Sequence, residues 1–140
     1  MSRLKRPDHA VATDFPIGLH HCDMLGVAWH GRYFEWLEMA RMELFKSRNL
    51  DIPEIRASGN RMYVVDAQCR YMAPLSYGDV ARVNAWFVTV APLIKVAYDI
   101  HNPATGRWCA RAITVLATTD IDGNLLLTTP DALLARLPVR

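Results

Sequence analysis

The apolar residues between Arg32 and Asn49 are spaced as in a helix with one buried side. Five of them follow the helical period at i, i+3, i+4, i+7 and i+11: Tyr33, Trp36, Leu37, Ala40 and Leu44. Four other apolar side chains of this segment lie off that stripe: Phe34, Met39, Met42 and Phe45. We therefore expect a long helix covered on more than one side, by a sheet and by another subunit.

Beyond a predicted linker at residues 51–60, the apolar period changes from that of a helix to that of strands. Alternating, β-branched and aromatic runs separated by Gly, Pro and Asp turns predict the following strands: 61–74, 81–92, 93–102 and 108–121. A weaker first strand is predicted at 12–23, a short sixth strand at 125–129, and a closing helix at 130–137 that begins with Pro130. Residues 1–10 are polar, and we expect them to be loosely held.

The order of these elements predicts the fold class. Short turns force neighbouring strands to pair antiparallel, and the resulting sheet needs one face covered. The long apolar helix is the candidate for that cover. We therefore predict an α+β fold, with an antiparallel five- or six-stranded sheet wrapped round one long central helix, as a single domain over residues 1–140.

Composition narrows the class of protein. The chain has 140 residues, half of them apolar, and a formal net charge of +2 with scattered Lys and Arg, which argues against a nucleic-acid-binding surface. No apolar run is long enough to span a bilayer, and none follows the basic N-terminus as in a secretory signal. The three cysteines are far apart and form no CxxC pair. We interpret the chain as a reduced, cytoplasmic protein without membrane or nucleic-acid partners.

Candidate chemistry concentrates just before the long helix, in the stretch HHCDMLGVAWHGRY. One carboxylate, Asp23, and three histidines, His20, His21 and His30, fall within eleven residues. Their spacing matches none of the usual zinc patterns, so we expect no metal. Cys22 has no demonstrable base beside it, which disfavours a cysteine nucleophile.

This stretch and the helix after it resemble the signature of the hotdog-fold acyl-CoA thioesterases of the 4-hydroxybenzoyl-CoA thioesterase type. The matching positions are Asp23, Gly26, Val27, Trp29, His30, Tyr33, Glu38, Ala40 and Arg41. A second segment, CRYMAPLSYGD, is similar to the family's strand-to-turn segment at Pro74, Gly78 and Asp79. The resemblance runs from Phe15 to Asp120 and includes the order of the strands.

The resemblance implies hydrolysis of an acyl-CoA or acyl-carrier-protein thioester, with Asp23 and His30 as catalytic residues and no cofactor. Asp23 would act as general base or nucleophile, and backbone amides at the helix N-terminus would hold the oxyanion. The implied substrate-binding residues are Gly26, Trp29, Tyr33, Ser58, Gly59 and Asn60. The last three would meet the thioester at a seam between subunits, so a homodimer or homotetramer is expected.

One position departs from the family pattern. Many members carry an acid two residues before the catalytic Asp, whereas this chain has His21 there. His21 is open to three interpretations: it tunes the pKa of Asp23, it contacts substrate, or it is, like His20, a residue at the end of the first strand. In another branch of hotdog thioesterases an acid on the helix does the chemistry, which makes Glu35 the second candidate.

Three other functions stay open on the sequence. The first is a hotdog dehydratase or hydratase of acyl thioesters, although its His–acid motif is not intact here. The second is a non-catalytic protein that binds acyl-CoA or a partner. The third is an unrelated α+β domain with a chance match to the motif.

Overall fold

The computed structural model describes residues 5–138. Residues 1–4 of the predicted loose segment, and residues 139–140 of the predicted domain, lie outside the described residues. The strands are β1 (Val11–Pro16), β2 (Arg61–Tyr71), β3 (Val80–Thr89), β4 (Ile94–Asn102) and β5 (Arg107–Thr119). The helices are α1 (Arg32–Lys46), α2 (Ile52–Ala57) and α3 (Asp131–Leu134), and a 3₁₀ turn covers Leu19–His21.

The strands form one antiparallel sheet in the order β1-β3-β4-β5-β2. The α+β class is therefore confirmed, with five strands. The predicted sixth strand at 125–129 is wrong: Asp120 closes the turn by accepting the backbone N–H groups of Asp122 and Asn124, and one isolated bridge follows, between Thr119 and Leu125. Beyond this bridge Leu127 projects into solvent, so an apolar run alone did not make a strand here.

The sequence-predicted stripe of α1 is buried as expected. Its five residues are all within the core, and Phe45 joins them from outside the stripe: Tyr33, Trp36, Leu37, Ala40, Leu44 and Phe45. The helix packs against β1 and β3, and the Phe45 ring meets the Phe87 ring edge-on at a centroid distance of 5.2 Å. Full burial of a side chain such as Leu44 stabilises the fold by about 1.5–3 kcal/mol.

Two predicted boundaries change for local reasons. The predicted linker at 51–60 contains α2, because Asp51 and Glu54 form a reciprocal capping box: the Asp51 carboxylate accepts the Ile52 N–H at 2.8 Å, and Glu54 accepts the Asp51 N–H at 2.9 Å. The predicted first strand ends early, at Pro16, and the chain then enters the 3₁₀ turn and the loop before α1.

The N-terminal residues that are described are not loose. Arg6 pairs with the buried carboxylate of Asp99 at 3.0 Å, and its guanidinium lies 5.6 Å from the centre of the Trp108 ring. His9 accepts the backbone N–H of Phe87 through Nε2 at 2.9 Å. These contacts tie residues 6–9 to the sheet. In residues 5–138 no helix is long and apolar enough to cross a bilayer.

Candidate active site

Residues 22–28, called here the Asp23 loop, form a small hairpin between the 3₁₀ turn and α1. Cys22 and Ala28 pair as an isolated antiparallel bridge, and the Asp23 N–H donates to the Val27 carbonyl at 2.9 Å. At its tip the Asp23 Oδ1 accepts the Leu25 N–H at 2.9 Å, which is an Asx turn. Gly26 adopts φ +82°, in the left-handed region that favours glycine.

This loop borders an open cavity of about 350 Å³, called here the Asp23 cavity. Its lining combines the loop, the start of α1 and the end of β2: Asp23, Val27, Ala28, His30, Tyr33, Tyr71, Met72, Ala73 and Pro74. The structure thus brings both predicted catalytic residues and Tyr33 to one cavity. A carboxylate, an imidazole and two phenols are the polar groups of its wall.

The start of α1 leaves backbone donors available at this place. Gly31 caps the helix without a side-chain hydrogen bond, and its first turn uses short-range bonds from Arg32 N to Trp29 O and from Phe34 N to Gly31 O. Within residues 5–138, the amide N–H groups of His30 and Gly31 have no hydrogen-bond acceptor. Free amides at a helix N-terminus, together with the helix dipole, favour a negatively charged ligand.

Tyr71 was not singled out as a site residue by the sequence, yet it holds the cavity wall. Its hydroxyl donates to the His30 carbonyl at 2.7 Å, and its ring meets the Tyr33 ring edge-on at 4.8 Å. Burial raises the pKa of Tyr33 to about 12 and also raises the pKa of Tyr71, so both phenols keep their protons near neutral pH. The segment CRYMAP carried the only sequence signal for Tyr71.

The other predicted substrate residues lie outside this wall. Trp29 is half exposed, and its ring lies so close to Gly31 that a Cβ added there would come within 2.3 Å of it. Gly26 sits at the loop tip. The predicted second acid, Glu35, points to solvent and pairs with Arg32 at 3.1 Å.

Ser58, Gly59 and Asn60 lie at the turn between α2 and β2. Asn60 is buried and donates to the Ser58 carbonyl and hydroxyl at 3.2 and 3.1 Å, and Gly59 adopts φ +80°. Ser58 lines a separate cavity between α2 and α3, which shares no residue with the Asp23 cavity. Within one chain the structure therefore does not bring these three residues to Asp23.

No metal-binding arrangement accompanies the histidines. Among residues 5–138, no three His, Cys, Asp or Glu side chains are grouped so that they could hold a metal ion. His21 instead accepts the Gly18 N–H through Nδ1 at 2.9 Å, and its ring meets the Trp36 ring edge-on at 5.3 Å.

Comparison with known proteins places the chain in a family. Residues 17–137 match the family model of the thioesterase-like superfamily. A Synechocystis protein named "Putative esterase sll0410" is 31% identical over 116 residues, which cover 79% of this chain and 68% of that protein. A Bacillus subtilis protein named "Putative acyl-CoA thioesterase YneP" is 29% identical over 97 residues, covering 69% of this chain and 70% of that protein.

A solved structure shares the fold. Slr0204 of Synechocystis, titled a 1,4-dihydroxy-2-naphthoyl-CoA thioesterase, superposes with a TM-score of 0.79 at 18% identity, covering 91% of this chain and 95% of that one. At this identity the likeness speaks for the fold alone. The superfamily match over most of the chain carries the assignment and confirms the resemblance seen in the motif. The chain belongs to the thioesterase-like superfamily, whose structural relatives are hotdog-fold thioesterases.

Proposed function

We propose that this protein hydrolyses an acyl-CoA or acyl-carrier-protein thioester to a free acid and a thiol. The observation that carries the proposal is the shared cavity of Asp23 and His30, at the helix start where two backbone amides lack acceptors. The name of the YneP relative supports a CoA thioester as the substrate.

In this proposal Asp23 supplies the base or the nucleophile. Its Oδ1 is held by the Leu25 N–H, which fixes the direction of the carboxylate toward the loop backbone. In one route Asp23 takes a proton from a water that attacks the thioester carbon, and the carbon–sulfur bond breaks when the tetrahedral adduct collapses. In the other route the Asp23 carboxylate attacks that carbon, the thiolate leaves, and a water then hydrolyses the resulting anhydride to free acid and Asp23. In both routes the leaving thiolate takes up the proton released from water. His30 orients the substrate carbonyl or the attacking group from the same wall.

The oxyanion of that adduct is stabilised by the amides of His30 and Gly31. The Tyr71 hydroxyl fixes the His30 peptide by donating to its carbonyl at 2.7 Å, so the amides are held in place before the reaction. Preorganised donors of this kind contribute about 10²–10³ in rate each. Tyr33 lines the acyl pocket, with Gly26 and Trp29 at its entrance.

We further propose that a second copy of the chain completes the site, in a homodimer or homotetramer. β2 is an edge strand of eleven residues and exposes Tyr63, Val64 and Val65. An apolar edge strand is a template for pairing with another chain. Antiparallel pairing of two β2 strands brings the Tyr71 end of one protomer near the Arg61 end of its partner, and Ser58, Gly59 and Asn60 directly precede Arg61.

We also propose two features of the fold that the family resemblance implies. The sheet wraps round α1 as its central helix, and residues 1–140 act as one hotdog thioesterase domain. The burial of the α1 stripe supports the first expectation.

The test is thiol release from a panel of acyl-CoA thioesters by the wild type and Asp23→Asn. Asparagine keeps an Oδ1 that accepts the Leu25 N–H, so the loop stays formed while the carboxylate is lost. We expect a fall in kcat of at least about 10²-fold. Asp122→Asn, in an exposed turn, is the matched control. Equal activity of wild type and Asp23→Asn would remove Asp23 from the chemistry.

A further inference from the structure

The imidazole of His21 makes a hydrogen bond that requires its neutral form. Its Nδ1 accepts the backbone N–H of Gly18 at 2.9 Å and thereby closes the 3₁₀ turn at Leu19–His21. A nitrogen that accepts a hydrogen bond carries no proton. The neutral ring is therefore the Nε2–H tautomer, and a protonated ring would set an N–H against the Gly18 N–H.

This turn anchors both parts of the proposed site. The His21 carbonyl accepts the Trp29 N–H at 2.9 Å, and this bond joins the two residues that flank the Asp23 loop. The neighbouring His20 carbonyl accepts from the Arg32 guanidinium at 3.2 Å, at the first residue of α1. The 3₁₀ turn at Leu19–His21 is thus hydrogen-bonded to both parts of the site. One part is the Asp23 loop with its carboxylate, and the other is the start of α1 with its free amides.

The surroundings of His21 oppose a positive charge. Burial lowers its pKa from the ordinary value of 6.5, and so do the nearby His20 and Arg32, while Glu35 acts in the opposite direction. The His20 ring lies 4.0 Å from the His21 ring, and the ring of Trp36 closes the side toward α1. The pKa of this ring therefore lies below its ordinary value.

We propose that His21 is a positioning residue whose neutral imidazole holds the Asp23 loop against the start of α1, so that its protonation switches thioester hydrolysis off in acid. The inference rests on the proposed function and adds a regulation to that same site. Protonation turns Nδ1 from acceptor to donor, opens the turn and displaces the loop.

The experiment compares kcat against pH for the wild type, His21→Asn, His21→Leu and His20→Asn. Asparagine places an acceptor oxygen on Cγ, where histidine has Nδ1, but it does not titrate in this range. We expect His21→Asn to retain the neutral-pH activity and to lose the acid fall of the wild type. His21→Leu should lose up to about 100-fold in kcat at every pH, the effect of a misplaced catalytic group.

His20→Asn is the matched control, because the His20 side chain makes no hydrogen bond within the described residues. Because His20 opposes a positive charge on His21, His20→Asn should keep the acid fall but move it to a higher pH. An unchanged acid fall in His21→Asn would overturn the proposal, since a group other than His21 would then set it.

A second readout separates this proposal from the proposed function. Nitrogen-15 spectra of the free protein at neutral pH should show His21 Nδ1 unprotonated, and acidification should move the Gly18 amide signal together with that of the His21 ring. A protonated Nδ1 at neutral pH would overturn the positioning role even in an active enzyme. Correct spectra together with no thiol release from any acyl-CoA would overturn the thioesterase proposal and, with it, the switch.

Discussion

At the scale of single residues, the site depends on contacts between segments far apart in the chain. Tyr71 and His30 are 41 positions apart, and their hydrogen bond joins the end of β2 to the start of α1. No local sequence pattern predicts such a hydrogen bond. The motif before α1 therefore supplied Asp23 and His30, whereas the phenol that holds the His30 peptide emerged only from the structure.

Replacing Tyr71 by Phe tests this contact. Tyr71→Phe keeps the ring packed on Tyr33 but removes the donor to the His30 carbonyl, so the amides before α1 lose their support. We expect kcat to fall by about tenfold or more with little change in KM, and the free energy of unfolding to fall by about 1 kcal/mol. Steady-state kinetics and urea unfolding measure the two effects.

Tyr77→Phe is the matched control, because Tyr77 is an exposed tyrosine that lies outside β2 and does not line the Asp23 cavity. It should leave kcat unchanged. If Tyr71→Phe behaved in the same way, the hydrogen bond to His30 would have no part in positioning the site.

At the scale of elements, β2 exposes more large apolar side chains than any other described strand or helix: Tyr63, Val64, Val65 and Tyr71. β2 pairs with β5 on one side, and its other side has no partner strand within the described residues. Phe34, Met39 and Met42 of α1 are also partly exposed. Edge strands of stable monomers usually carry charges or prolines. β2 carries Arg61, Asp66 and Arg70, but its run Tyr63–Val65 has neither a charge nor a proline.

A charge on this edge should separate the protomers. Val65 is about half exposed at the middle of β2, and Val65→Lys places an ammonium group where the second copy is proposed to pair. We expect a shift to monomer in light scattering coupled to size-exclusion chromatography, with loss of thiol release because the site is left incomplete.

Leu127→Lys provides the control, since Leu127 is almost fully exposed on the loop after β5 and is not part of β2. It should keep both assembly and activity. A Val65→Lys protein that stays associated would show that the chains meet elsewhere.

At the scale of the whole molecule, several histidines are held neutral by the fold. Burial is the largest cause of the lowered pKa of His9, with Arg48 adding to it, and burial also lowers the pKa of His101. The unfolded chain takes up these protons as the pH falls through about 6.5, before the folded chain does. The contribution of these histidines to the free energy of unfolding is therefore fully present above that pH and declines below it.

His9 is the place to test this acid sensitivity, because its Nε2 accepts the Phe87 N–H and holds residues 6–9 on the sheet. Thermal unfolding followed from about pH 7.5 to about pH 5 should show a falling midpoint for the wild type. His9→Gln offers an amide oxygen to Phe87 without titrating, so its midpoint should fall less.

The exposed His20 serves as the reference position in this experiment. His20→Gln should follow the pH dependence of the wild type. If His9→Gln lost stability on acidification as steeply as the wild type, the proton uptake would have to occur elsewhere.

The sequence by itself determined the features that short-range periodicity encodes, namely the positions of the long helix and of the strands. The helical stripe Tyr33–Leu44 and the alternating strands 61–121 were readable because each records which side chains face the core. The motif from Asp23 to Arg41 determined the family. The capping box of α2 was also present in the sequence, at Asp51 and Glu54, although the segment was interpreted as a linker.

Only the tertiary structure decided which distant segments meet. The order β1-β3-β4-β5-β2, the docking of Arg6 and His9 on the sheet and the meeting of Tyr71 with His30 all join residues that are far apart in the chain. The tertiary structure also decided that residues 125–129 form no strand, because they join the sheet through one isolated bridge, between Thr119 and Leu125. Local patterns fix which face of an element is apolar, but the choice of partner depends on the packing of the whole chain, and no short window of sequence contains it.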